Sequence, residues 1–185
     1  APSCYNMEIK RIIVGGLDNN CYVLMSGSKG IIIDPGDEAK KIQEAVNGLQ
    51  IEIILATHRH FDHITALKQV KELTKAEAAI HPLDWVDGFD QKLADGQIIK
   101  FGAEQLRVIH TPGHTPGGCC FLVGDKLFSG DTLFPNGPGN TMFPGGNEAD
   151  ILRSIREKLM VLPDATRVYP GHGPETTIGR ERALY

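Results

Sequence analysis

The 185-residue chain is poor in cysteine, in aromatic residues and in net charge. Its four cysteines, Cys4, Cys21, Cys119 and Cys120, contain no C-x-x-C pair, and two are adjacent, so their side chains would face opposite ways on a strand. A disulfide framework is therefore not what organises this chain. Nineteen Lys and Arg against 23 Asp and Glu leave a net charge of -4. No basic run could neutralise a phosphate backbone, which argues against nucleic acid as a partner. No apolar stretch approaches the roughly 20 residues that span a bilayer, so no membrane partner is expected either. Ala1 to Asn6 lack the apolar and basic regions of a signal peptide and are expected to be a cloning remnant ahead of Met7. Residues 7–185 are expected to form one cytoplasmic domain.

What is present is an alternation of short β-rich runs and helical patterns. Glu8 to Val14, Asn20 to Met25 and Gly30 to Ile33 predict an antiparallel meander turning at Gly15-Gly16 and Gly27-Ser28. Asp37 to Asn47 carries Ala39, Ile42, Ala45 and Val46 at helical spacing, stopped by Gly48. Ile51 to Leu55 predicts a buried strand, Ile64 to Thr74 a second helix and Ala78 to Ile80 a further strand. From Gln97 to Phe128 the period is two, predicting a second sheet. Asn147 caps a third helix whose apolar stripe is Ile151, Leu152, Ile155, Leu159 and Leu162, and Arg167 to Tyr169 is a last strand. Two β-rich halves, each followed by helices, predict an α/β (α+β) fold of four layers, helices outside two stacked sheets.

The strongest chemical signal is Thr57-His58-Arg59-His60-Phe61-Asp62-His63, between a predicted strand and a predicted helix. His58 and His60, two apart in extended chain, can grip one ion from the same side. Asp62 and His63 can reach a second, since imidazole and carboxylate suit zinc and similar divalent metals. Further candidate ligands follow predicted strands and stand beside glycine: His114 in Thr111-Pro112-Gly113-His114-Thr115, Asp131 in Ser129-Gly130-Asp131-Thr132, and His172 in Gly171-His172-Gly173. A carboxylate can share its two oxygens between two cations, so Asp131 is the natural common ligand.

In this order and spacing, T-H-x-H-x-D-H, T-P-G-H-T, S-G-D-T-L-F and P-G-H-G-P resemble the metallo-β-lactamase superfamily. Within it they look most like glyoxalase II-like (hydroxyacylglutathione hydrolase-like) enzymes of the short form without a C-terminal helical domain. The likeness runs from Met7 through Ile33-Asp34-Pro35-Gly36 to the last motif. It implies an αββα sandwich of two mixed sheets with two divalent ions at one edge, zinc first and iron or manganese as alternatives. The implied chemistry is attack of a metal-bound hydroxide on the acyl carbon of a small-molecule thioester. By motif position His58, His60 and His114 would hold the first metal, Asp62, His63 and His172 the second, and Asp131 both, with Asp62 also able to accept a proton. Rival activities on the same scaffold are a lactonase, a β-lactamase and a mononuclear iron persulfide dioxygenase that would use only His58, His114 and Asp131. Metals that only staple the fold are a non-catalytic alternative.

The chain departs from that pattern where glyoxalase II enzymes carry a Gly-Arg-containing segment, because Asn136 to Gly146 has no Lys or Arg. Binding of a glutathione thioester is thus expected to depend little on the carboxylates of the peptide, and Arg180 or Arg182 are the remaining candidates to hold them. Asp34 has two readings, a turn-stabilising side chain or a partner that hydrogen-bonds the metal loop. His81, His110, Cys119 and Cys120 are read as structural. Arg59 should face away from the metals, while Tyr169, Phe128, Phe134 and Phe143 either line the pocket mouth or fill the core.

Overall fold

The computed structural model describes residues 7–185, so the expectations for Ala1 to Asn6 and for Cys4 lie outside it. Six strands form the first sheet in chain order: β1 (Glu8–Val14), β2 (Asn19–Ser26), β3 (Lys29–Ile33), β4 (Gln50–Leu55), β5 (Ala78–Ile80) and β6 (Gln91–Lys92). The meander β1-β2-β3 is antiparallel as expected, and β3 to β6 are parallel. The second sheet contains β7 (Ile98–Phe101), β8 (Glu104–His110), β9 (Cys119–Val123) and β10 (Lys126–Gly130). A small hairpin of β11 (Leu133–Phe134) and β12 (Gly137–Pro138) follows, and β13 (Arg167–Pro170) and β14 (Thr176–Thr177) then complete the second sheet in the order β14-β13-β10-β9-β8-β7.

Alternation along the strands sorts the apolar residues into three cores, which is what four layers require. Tyr22, Leu24, Ile31, Ile33, Leu55, Phe121 and Phe128 fill the space between the sheets. Their neighbours Cys21, Val23, Ile32 and Ile54 face outward under α1 (Ala39–Ala45) and α2 (Leu67–Thr74), joined by Ile42 and Val70. On the far side Cys120, Leu127 and Val168 pack under α3 (Glu148–Ser154), its π-helical continuation Ile155–Leu159, and α4 (Ile178–Glu181). Adjacent Cys119 and Cys120 fall in different cores, both buried thiols pushed up in pKa by burial. No helix among the described residues is long and apolar enough to cross a membrane.

The helix boundaries correct the sequence reading. Glu38 takes a left-handed φ of 52° and its carboxylate accepts from Gly15 N at 2.8 Å, so α1 starts after it rather than at Asp37. The second helix does not start at Ile64, because Phe61–His63 is a 3-10 turn and Ile64 at φ -137° leaves the helical region. Asn147 does cap α3, its side chain accepting from Asp150 N. The short pieces β6, β11, β12, β14 and α4 were not expected.

Strand direction gathers the motifs. Because β8 and β10 are each antiparallel to β9, and β10 is parallel to β13, the strands β8, β10 and β13 end on one edge. His114, Asp131 and His172 follow those ends. The loop after β4 meets them where Thr57 O accepts from Cys119 N at 2.8 Å. Ligand sites at the carboxyl ends of strands are the rule in open α/β sheets.

Candidate metal centre

The structure brings all seven expected residues together. His58, His60 and His114 form one group of potential ligands, and Asp62, His63, Asp131 and His172 form another. Asp131 Oδ2 lies 3.7 Å from His58 Nε2, 3.3 Å from His63 Nε2, 3.4 Å from His114 Nε2 and 3.5 Å from His172 Nε2. On the first side His114 Nε2 is 3.0 Å from His60 Nδ1, and on the second Asp62 Oδ2 is 3.3 Å from His172 Nε2. Two atoms bound to one zinc at about 2.0–2.1 Å with tetrahedral angles are about 3.4 Å apart, so these separations fit cation coordination.

Hydrogen bonds behind the rings set which nitrogen faces inward. Nδ1 of His63 meets Asp34 Oδ2 at 2.8 Å, Nδ1 of His114 meets Asn140 O at 2.5 Å, and Nδ1 of His172 meets Leu17 O at 3.0 Å. His58 Nδ1 is 2.9 Å from Thr57 Oγ1, whose own proton goes to Asp34 Oδ2 at 2.7 Å. In each case an oxygen holds Nδ1 from behind, which leaves Nε2 facing Asp131. His58 Nε2, His63 Nε2 and Asp131 Oδ1 are buried with no hydrogen-bond partner, a costly arrangement that a cation would resolve.

Asp34, whose two readings the sequence left open, serves the loop from behind. It holds a left-handed φ of 56° at the end of β3, and its Oδ1 accepts from Thr57 N at 2.7 Å. Asp34 also lies within ligand distance of His58 and His63, but both its oxygens are already engaged.

The electrostatics follow from crowding five imidazoles and two carboxylates into one partly buried cluster. Burial pushes His58 well below its ordinary pKa, with His63 adding to the effect. His63 is also penalised by burial, but Asp131 and Asp34 outweigh this and hold it protonated, well above the usual range. Hydrogen bonds to Asp131 and Asp62 raise His172 to about 10. Burial opposes ionisation of Asp62, yet His172, His63 and Asn19 bring it down to about 2. A divalent cation entering here displaces protons from histidine, so uptake is linked to proton release.

Several contributors escaped the sequence reading. Asn19 Nδ2 donates to Asp62 Oδ2 at 3.1 Å. Asp84, fully buried, accepts from Arg59 N at 2.9 Å, Thr115 Oγ1 at 2.7 Å and Gly117 N at 2.6 Å, tying the loop of His58 and His60 to that of His114. Glu181 in α4 accepts from Asn136 N at 2.7 Å and anchors the segment after Asp131. The only local hint at Asp84 is His81-Pro82, which caps and opens the turn Pro82–Asp84.

Of Gly113, Gly130 and Gly171, which precede the three loop ligands, it is Gly171 whose missing side chain leaves room at the cluster itself. A Cβ on Gly171 would stand 2.4 Å from Asp131 Oδ1 and 2.7 Å from His63 Cε1, whereas at Gly130 it would strike Thr57 and at Gly113 Ile151 of α3. Arg59 turns away from the ligand set as expected, toward Asp84 and Pro144 O. His81 and His110 stack with ring centroids 4.0 Å apart, outside both ligand groups. Phe128 and Tyr169 fill the core between the sheets, while Phe134 and Phe143 line the pocket. That pocket, about 560 Å³, opens over His60, Asp62, His114, Asp131 and His172. Arg182, a candidate glutathione contact, is spent on Asp164 and the carbonyls of Met160 and Leu162.

The sequence profile of the family described as "Metallo-beta-lactamase superfamily" matches residues 14–172. An "uncharacterized protein" of Aquifex aeolicus (strain VF5) is 40% identical, covering 96% of this chain and 95% of its own. The "hydroxyacylglutathione hydrolase GloC" of Haemophilus influenzae is 34% identical, with 95% of each chain covered. Among solved structures, the BLEG-1 B3 metallo-beta-lactamase superposes with a TM-score of 0.88 at 33% identity, covering 95% of this chain and 97% of that one.

Proposed function

The chain belongs to the metallo-beta-lactamase superfamily, and from that premise we propose that this metal-dependent hydrolase cleaves a thioester, R-CO-SR′ and water giving R-COOH and R′-SH. The observation that carries the reading is the pocket, whose floor is the His/Asp cluster and whose volume of about 560 Å³ suits a small molecule. The near end-to-end likeness to a hydroxyacylglutathione hydrolase supports the thioester in particular.

His58, His60 and His114 would hold one divalent ion, Asp62, His63 and His172 a second, and Asp131 both. Such ions, zinc first, supply a polarised carbonyl and a water acidic enough to ionise near neutral pH. The chain's own groups do the rest. Asp34, Asn140 and Leu17 orient three imidazoles through Nδ1, and Asn19 fixes Asp62. Asp62 lines the pocket as an ionised carboxylate able to accept a proton from water. Phe61, Phe143 and Leu17 give the pocket an apolar lining above the cluster. No nucleic acid or membrane partner belongs to this reading.

A second reading, β-lactam hydrolysis, is favoured by the likeness to BLEG-1. The test is elemental analysis followed by one panel of thioesters, lactones and β-lactams on the same preparation, with oxygen consumption on a persulfide as a further arm. About two ions per chain and thioester turnover are expected. Lactone or β-lactam turnover without thioester turnover overturns the proposed substrate, and one iron with oxygen uptake overturns the hydrolytic reading.

A further inference from the structure

Isolated exposed apolar residues are ordinary on a protein surface. Here they are not isolated, since Leu17, Phe61 and Phe143, at 57%, 72% and 54% exposure, all line the pocket over the His/Asp cluster. Phe134 and Pro144 complete the wall, and Asn140 is its one uncharged polar residue. An apolar surface of this kind around convergent polar groups is how small-molecule sites are built.

The wall carries no Lys or Arg. Nearby guanidinium groups are outside the lining and engaged elsewhere, Arg59 with Asp84 and Pro144 O and Arg11 with Gly173 O. The charge next to Leu17 in sequence is Asp18, which is exposed and negative. Anionic groups projecting from a substrate would meet no cation on this wall.

The two aromatic rings flank the ligand groups separately. Phe143 lies edge-on to His60 at 5.5 Å and Phe134 faces His172 at 6.4 Å between centroids. The segment bearing Phe143 is pinned on both sides, by Asn140 O on His114 Nδ1 and by Asn147 N on Gly113 O at 2.8 Å. A scissile carbonyl placed at Asp131 therefore has an aromatic wall beside each arm of the ester.

Resting on the thioesterase reading above, we propose that the substrate is an uncharged thioester with an apolar body, and that Phe143 is its main specificity determinant. A charged peptide thiol such as glutathione is the poorer leaving arm here, because its carboxylates gain nothing from the wall.

The test compares one acyl group on benzyl mercaptan and on glutathione with the metal-loaded enzyme, each rate divided by its hydroxide-catalysed rate. In parallel, calorimetry follows the matching non-hydrolysable thioethers, S-benzyl and S-glutathionyl. At least a tenfold preference in kcat/KM for the benzyl ester is expected, with tighter binding of the S-benzyl thioether. Phe143→Ala should reduce both preferences by about tenfold, and Phe143→Lys should shift them toward the glutathione forms. Preference for the glutathione forms, or an unchanged preference in Phe143→Ala, overturns the inference while leaving thioester hydrolysis intact. Tighter S-benzyl binding that Phe143→Ala abolishes, without turnover of any thioester, supports the wall chemistry and overturns the thioesterase reading instead.

Discussion

The two groups of histidines in this protein differ in what stands in front of their ring nitrogens. In His58, His63, His114 and His172, Nδ1 is tied to an oxygen and Nε2 faces Asp131. In the stacked pair, His81 Nδ1 instead accepts a backbone proton from Leu83 N, and His110 Nε2 meets Pro116 O. The first arrangement leaves Nε2 aimed at a shared carboxylate, whereas in the second His81 Nδ1 accepts from, and His110 Nε2 donates to, the backbone. His60, the fifth candidate ligand, is turned the other way, its Nδ1 facing His114 Nε2 at 3.0 Å, and what separates the other four from the stacked pair is the partner on the second nitrogen, more than burial.

The sharpest way to break this contrast is to remove the carboxylate that the first group shares. Asp131→Ala should lower both metal content and kcat/KM by well over the roughly 10–100-fold that loss of an outer partner costs. Elemental analysis and turnover on one preparation measure the two together. Full metal content with Asp131 gone would show that the imidazoles do not depend on it.

Next in size is the carboxylate that neither group contacts. Asp84→Ala leaves Arg59 N, Thr115 Oγ1 and Gly117 N without their acceptor in the interior. A buried donor left unsatisfied typically costs about 1–3 kcal/mol, so a loss of several kcal/mol is expected. Asp34→Ala strips Thr57 and His63 of theirs and should weaken metal affinity by about 10–100-fold. Urea denaturation and competition with a chelator separate the two effects. Asp84→Ala is expected to show mainly in stability, and Asp34→Ala mainly in metal affinity.

These variants also mark where sequence reasoning ended. The ligand motifs were legible because each is local, a short run at the end of a strand whose residue types announce their chemistry. The three cores were legible through the two-residue period, down to the opposite faces of Cys119 and Cys120. Asp84 was not, because its partners lie 25 to 33 residues away and its own neighbourhood carries no motif. The delayed start of α2 has the same origin. His63 is drawn onto Asp34 and Ala66 N onto Pro35 O, so the chain must finish a tight turn before the helix begins. Short pieces such as β6 and β14 gain their structure by pairing with strands already present, which leaves almost no local signature.

A smaller effect sharpens the contrast from the other side. His81→Gln and His110→Gln should leave metal content unchanged, and turnover should fall far less than in His114→Gln. Loss of an ion in either variant would move that histidine into the metal centre.

The smallest expected effect is the pH dependence that His81 contributes. Burial, and after it the neighbouring His110, lowers the pKa of His81 from its ordinary 6.5, with Asp84 and Asp95 opposing and Lys158 assisting. The neutral ring is the form the structure needs, since Nδ1 must keep a lone pair for Leu83 N at 3.1 Å. A histidine whose folded pKa is depressed contributes stability above its unfolded pKa, and that contribution is lost as the pH falls toward the folded value. Below about pH 6.5 the unfolded chain takes up a proton that folded His81 refuses, and Tm should decline. His81→Phe keeps an aromatic ring on His110 but removes the proton site, so its Tm profile should be flatter than the parent's in that window. The measurement is thermal unfolding of the two proteins in matched buffers, and parallel profiles through that range would remove His81 from the acid response.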